Sequence, residues 1–139
     1  DALPIYHDGD NPYYYLGKIH EVENRLSHAI VLYTRALAVD PLDEDSLIGR
    51  GSCYTVTNQH ESAIYDFESL LRFPKNRRSL PNKHLFFMLA ENYRRMERWA
   101  EAIFWEELAG DAASGDEHHK TLYEAMVNAA NGRQIFGNA

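Results

Sequence analysis

Apolar residues recur along this chain at the three- and four-residue spacing of an α-helix, in segments of about a dozen residues divided by short polar breaks. The pattern predicts helices over 13–24, 28–39, 45–57, 61–73, 84–96, 99–110 and 117–130. Asn24-Arg25, Thr57-Asn58-Gln59 and Met96-Glu97-Arg98 read as turns between antiparallel helices, because each interrupts the apolar period for only two or three residues. The last segment follows the turn-like run Gly110-Asp111-Ala112-Ala113-Ser114-Gly115 and places Leu122, Tyr123, Ala125, Met126 and Ala129 at helical spacing. Residues 1–12 and the tail over 131–139 are expected to be irregular, with a single domain over 13–130 between them.

Aligning the segments on their alanines exposes a repeat. In the first unit Leu16-Gly17 is followed by Ala29, Tyr33, Ala36 and Pro41; in the second, Gly51 and Tyr54 are followed by Ala63, Phe67, Leu70 and Pro74. Ala29 and Ala63 are 34 positions apart. In the third unit Leu89, Ala90 and Tyr93 precede Trp99, Ala102 and Ala109, and Ala63 to Ala102 is 39 positions, so five residues enter at the turn between units. The units run over about 13–42, 45–75 and 84–112. Small residues at Gly17, Gly51 and Ala90, facing Ala29, Ala63 and Ala102, let paired helices approach, while Tyr33 and Phe67 fill the space toward the next unit.

This pattern resembles the tetratricopeptide-repeat (TPR) family, and the run from Ala29 to Pro41 is similar to its second-helix consensus. The resemblance covers about residues 13 to 110. It departs from the family pattern at His20 (usually Tyr), Arg50 (usually Leu), Pro74 (one residue early) and Glu106 (usually a large apolar residue). The resemblance implies an all-α fold, a right-handed superhelix of three helical hairpins closed by a capping helix at 117–130, seven helices in all. A cap has a physical task in such a stack, since the last unit otherwise presents an apolar face to water.

The family's first helices line a concave groove that binds polypeptide. Carried over residue by residue, the groove positions are Asn11, Tyr14, Lys18 and Glu21, then Asp45, Ile48, Ser52 and Thr55, then His84, Phe87, Glu91, Arg94 and Arg95. Mixed aromatic, aliphatic and charged side chains suit an extended or helical peptide, with apolar pockets supplying affinity and charges setting register. One family subtype captures the C-terminal carboxylate of chaperones with a clamp of two Lys, two Asn and one Arg. Those positions here are Tyr14, Lys18, Gly49, His84 and Met88, so the donors for a buried carboxylate are missing.

Composition narrows the chemistry. The chain has 139 residues, enough for one domain of stacked elements, and its formal charge of −7 opposes general affinity for nucleic acid or anionic membranes. Against that background Arg72, Lys75, Arg77, Arg78 and Lys83 gather positive charge around the inserted turn, read either as a solvated loop or as a docking patch for an acidic partner segment. Cys53 is the single cysteine, which excludes an intrachain disulfide and fits a reducing compartment; a cytoplasmic location is the expectation. No run approaches the roughly 20 apolar residues that cross a bilayer.

No nucleophile motif, phosphate-cradling glycine loop or zinc-protease helix motif is present, so no catalytic residue, metal or cofactor is expected. His118-His119 beside Glu117 and Asp116 is the one weak metal candidate, but neighbouring residues on a helix point about 100° apart and two ligands do not make a site. The expected function is therefore non-catalytic: a scaffold or adaptor holding a partner's peptide segment. The alternative is a chaperone like those of type III secretion translocators, which three repeats plus a terminal helix, Gly51-Ser52-Cys53 and Leu89-Ala90-Glu91-Asn92 also resemble. A dimerising helical segment usually precedes the first repeat in those chaperones, and residues 1–12 are too short and too rich in Pro, Gly and Asp to supply it.

Overall fold

A computed structural model of the protein describes residues 11–112 and 117–136. Seven α-helices follow one another among them: α1 (Pro12–Val22), α2 (Leu26–Val39), α3 (Glu44–Val56), α4 (His60–Leu71), α5 (Asn82–Arg95), α6 (Trp99–Ala112) and α7 (Glu117–Phe136), with a 3-10 turn at Lys75–Arg77 before α5. Each helix packs chiefly on its chain neighbours, which makes the fold a solenoid of helical hairpins, α1 with α2, α3 with α4, α5 with α6, ended by α7. The capping helix continues to Phe136, six residues past the Ala130 boundary drawn from sequence. The irregular segment expected at the N-terminus lies outside the described residues except for Asn11 and Pro12, and α1 begins at Pro12. Of the run expected as a turn, Gly110, Asp111 and Ala112 belong to α6, while residues 113–115, together with Asp116 and the last three residues of the tail, lie outside the described residues, as do the side chains of His118 and His119.

The turns inside the three hairpins repeat atom for atom. Asn24, Asn58 and Glu97 all adopt the left-handed conformation, at φ 61°, 62° and 58°. One residue later an amide reaches back five residues in each case, Arg25 to the His20 carbonyl at 2.8 Å, Gln59 to Tyr54 at 2.8 Å and Arg98 to Tyr93 at 3.0 Å. This closing motif satisfies carbonyls that the end of a helix would otherwise leave without partners. Asparagine tolerates left-handed backbone better than most residues, which explains two of the three positions. Glu97 is the exception.

Packing follows the same 34- and 39-residue register. Ala29, Ala63 and Ala102 are fully buried, as are Ala36, Leu70 and Ala109, because a larger side chain at either site would push the paired helices apart. Tyr33 of α2 is wedged between two glycines: a Cβ built on Gly17 would stand 2.8 Å from its ring, and one on Gly49 of the next hairpin 2.6 Å from Cζ. Phe67 repeats the arrangement against Gly51, at 2.8 Å. The third unit has Ala90 and Glu106 instead, and Glu106 is nonetheless buried at 4% exposure. The main core runs from Leu47 through Ile64, Phe67 and Leu70 to Leu85, Leu89, Tyr93 and, on α7, Met126.

The departures from the family pattern have structural partners. Arg50 donates from Nε and Nη2 to both oxygens of Asp66 at 2.8 and 2.7 Å, and from Nη1 to Thr34 Oγ1 at 3.2 Å, so one guanidinium ties α2, α3 and α4 together. Asp66 is 1% exposed. Burial raises its pKa despite the opposing pull of the Arg50 hydrogen bonds, while those hydrogen bonds raise the pKa of Arg50 against burial. His20 stacks on His28 at 5.5 Å and accepts a hydrogen bond from Arg25 Nε at 3.0 Å. The early Pro74 opens the inserted turn, which folds back on the start of α3: Ser79 N, Ser79 Oγ and Leu80 N all donate to the Glu44 carboxylate, at 2.7, 2.6 and 2.9 Å.

Candidate functional site

The first helices of the hairpins carry their groove positions every three or four residues, which lines those side chains along one face. On α3, Asp45, Ile48, Ser52 and Thr55 share such a face; on α5, His84, Phe87, Glu91, Arg94 and Arg95 do. Between α3, α5 and α7 opens a cavity of ≈ 380 Å³. Ser52, Thr55, Phe87, Glu91 and Arg94 from the expected set line it, together with Val56, Met88, Asn92, Leu122 and Met126, and its floor is Phe67 and Glu106 from the second helices. Its wall is mostly apolar. Val56 keeps 66% of its surface in solvent at the rim.

A polar rim is held in place from behind. Asn92, fully buried, donates to Thr55 Oγ1 at 3.0 Å and to the Met88 carbonyl at 2.8 Å, and its Oδ1 lies 2.9 Å from His60 Nδ1. This network fixes Thr55 relative to α5 and links the second and third units beneath the groove. On the opposite rim Glu91 accepts from Arg94 at 2.5 Å and Arg95 at 2.8 Å. Burial works to raise the Glu91 pKa, but the two guanidiniums outweigh it and hold the carboxyl below its usual range.

The remaining expected positions divide. Tyr14 is half-buried beside Tyr33, ring centroids 6.1 Å apart, and its pKa is raised first by burial and then by the nearby charges of Asp45 and Asp43. Ile48 is half-buried against the main core. Glu21 accepts the Tyr33 hydroxyl at 2.5 Å, and Lys18, exposed, stands 3.9 Å from Glu21. Burial and then the Glu21 hydrogen bond push the Tyr33 pKa upward. Asn11 donates from Nδ2 to the Ala36 carbonyl at 2.8 Å and so fastens the start of α1 to the end of α2. Asp45 and His84 are exposed at the starts of α3 and α5. Asn11, Glu21 and Tyr14 are thus engaged in holding the first hairpin, whereas the cavity itself belongs to the second and third units and α7.

Two of the basic residues around the inserted turn are engaged with their own chain. Arg77 donates to Asp40 Oδ2 at 2.6 Å and to the Leu42 carbonyl at 3.1 Å, and Arg72 reaches Ser69 Oγ at 3.3 Å. Lys75 is exposed; Arg78 and Lys83 are half-buried. Arg77 and Arg78 share one shallow hollow with Asp40, Asp43, Glu44 and Asp45, so these two cations face an acidic corner of their own chain.

Cys53 is 1% exposed, and burial first, then the Glu21 charge, pushes its thiol up to about 11. It packs as a small apolar residue with Ala29 and Tyr33 and is a poor nucleophile at neutral pH. Met88, Val56, Asn92, Leu122 and Met126 were not among the groove positions read from the sequence. Leu122 and Met126 carried a legible signal, the i,i+4 apolar pair of α7, which the capping role had absorbed.

No family profile and no curated protein sequence matches the chain. Its structure is similar to that of YrrB, described as a TPR protein with an unusual peptide-binding site, with a TM-score of 0.70 and 24% identity over 85% of this chain. The match spans 59% of the length of YrrB. The first TPR domain of human RPAP3 aligns with a TM-score of 0.71 and 14% identity, over 89% of this chain and 94% of that domain. The Yersinia enterocolitica type III secretion chaperone SycD, solved in complex with a peptide of the translocator YopD, aligns with a TM-score of 0.64 and 17% identity, over 94% of this chain and 95% of SycD. The fold expected from the repeat register is the fold observed: this chain is a TPR-type helical solenoid.

Proposed function

We propose that this chain is a non-catalytic binding module that holds a peptide segment of a partner protein in its concave groove, as a scaffold or adaptor within a larger assembly. The observation that carries the reading is the cavity between α3, α5 and α7. An apolar wall of Val56, Phe87, Met88 and Leu122, a polar rim of Thr55, Glu91 and Arg94, and a volume of ≈ 380 Å³ are what a bound peptide side chain needs. Similarity in fold to YrrB, a protein with a peptide-binding site, and to SycD, which was solved with a peptide, supports the same use.

The likeness to SycD over nearly the full length of both chains favours a second reading, a chaperone that keeps a client protein soluble. The two readings differ in what the groove protects. A scaffold binds a segment of a folded partner, whereas a chaperone suppresses aggregation of an apolar client in a light-scattering assay at equimolar ratio.

Selection of peptides from a random displayed library against wild-type protein, with counter-selection on Phe87→Glu, tests the groove itself. Enrichment of a motif that binds wild type and not the variant is the expected result. Enriched peptides that bind both proteins equally place the binding surface elsewhere.

A further inference from the structure

The groove is not electrically uniform. At the cavity end, Arg94 and Arg95 share the single carboxylate of Glu91. At the other end, where α1 faces the start of α3, Asp40, Asp43, Glu44 and Asp45 meet Arg77 and Arg78 in one hollow, with Lys18 and Glu21 across from them on α1. Arg77 is committed to Asp40, Lys18 leans toward Glu21, and Glu44 is held by the Ser79 and Leu80 amides. Five carboxylates therefore stand against three cations, and Asp45, exposed in the first turn of α3, carries the surplus toward the groove. The Asp45 pKa is raised by burial first, and the charges of Asp43 and Glu44 add to that while Lys18 opposes it.

Asp45 lies on the same α3 face as Ser52 and Thr55, which reach the cavity. Ten residues of helix separate Asp45 from Thr55, a rise of about 15 Å at about 1.5 Å per residue. An extended segment advances about 3.3 Å per residue, so it covers that distance in four to five residues.

Resting on the groove reading above, we infer that the bound segment carries a two-part signature: a bulky apolar side chain that fills the cavity against Phe87, Met88 and Leu122, and a lysine or arginine about four or five residues away that pairs with Asp45. The partner class is thus a protein segment that is basic beside its apolar anchor, complementary in charge to the α3 end of the groove. An acidic segment of the same shape is disfavoured there by like-charge repulsion.

The test uses the full chain and fluorescein-labelled dodecapeptides read by fluorescence polarisation. Each has one Phe anchor in a Gly-Ser-Gln background, with either two Arg or two Glu placed four and five residues from it, on the N-terminal or the C-terminal side. The expected result is that the Arg peptide of one orientation binds about five- to tenfold more tightly than its Glu counterpart at low salt, with a smaller ratio at high salt. Asp45→Asn should reduce that ratio toward one and Asp45→Lys should invert it, while Phe87→Ala weakens both peptides alike. Because Asp45 is exposed, circular dichroism of both Asp45 variants should match wild type.

Equal binding of Arg and Glu peptides, both lost in Phe87→Ala, overturns the inference and leaves the groove reading standing. A charge preference that survives Asp45→Lys also overturns it. Binding of neither peptide in either orientation, or binding indifferent to Phe87→Ala, overturns the inference together with the groove reading.

Discussion

Gly49 of α3 lies against the Tyr33 ring of α2 so closely that a Cβ built on it would stand 2.6 Å from Cζ, nearer than real side chains come. The ring cannot swing aside freely, because Gly17 flanks its other face and the hydroxyl is hydrogen-bonded to Glu21 at 2.5 Å. Gly49→Ala should therefore destabilise by about 1–3 kcal/mol, the overpacking cost exceeding the helix propensity that alanine brings. Gly110→Ala is the control, since nothing lies within 4 Å of the added methyl; it should be neutral or stabilising by up to about 1 kcal/mol. Urea titrations of both variants beside wild type check the contrast.

Removing Arg50 strands a buried carboxylate. Arg50→Met should lower stability by about 3–5 kcal/mol, because Asp66 then lacks the partner that satisfies both its oxygens. Adding Asp66→Leu to the same protein should recover most of that loss, since an apolar pair of similar volume carries no desolvation penalty. Chemical denaturation of the two single variants and the double variant measures the coupling, and additive losses would contradict this account of the pair.

Glu91 gives a pH dependence with a definite sign. Its folded-state pKa is lowered, so the stability it contributes is present above the usual carboxylate range and is lost as pH falls through its folded value. The stability difference between wild type and Glu91→Gln should be steady, at most about 1 kcal/mol, between neutral pH and the upper end of that range, and should shrink in more acidic solution. Thermal melts of both proteins across this range provide the measurement.

A short acidic peptide ending in a free carboxylate should bind weakly or not at all. The clamp positions hold Tyr14, Lys18, Gly49, His84 and Met88; of these Gly49 is covered by Tyr33, Tyr14 is packed beside the same ring, and only Lys18 is a fixed cation. Titration calorimetry with such a peptide is expected to show no submicromolar affinity, and affinity of that order would overturn the reading of these positions.

The repeat was legible because it is written in sizes and spacings. Ala29, Ala63 and Ala102, the glycines against Tyr33 and Phe67, and the turn residues Asn24, Asn58 and Glu97 all keep one register, and the packing repeats with it. The candidate site was only half legible, because a face of a helix does not say what its side chains are already doing. Asn11, Glu21 and Arg77 look like free polar groups in sequence, but each is held by a partner 25, 12 or 37 residues away. Conversely, Met88, Leu122 and Met126 look like ordinary core, and Met126 is indeed buried; their place on the cavity wall depends on the angle at which α7 meets α5. The Glu44 carboxylate, which gathers the inserted turn, gave no local signal at all, since its partners Ser79 and Leu80 lie 35 and 36 residues away in that turn.

The most direct test of the central claim is a titration of isotopically labelled protein with a peptide selected for binding, followed amide by amide in two-dimensional NMR. The largest shift changes are expected on Ser52, Thr55, Phe87, Met88, Glu91 and Leu122, and Phe87→Ala should abolish them. Shift changes concentrated on the outer faces of α2 and α4, or on the turn around Lys75–Arg77, would contradict it.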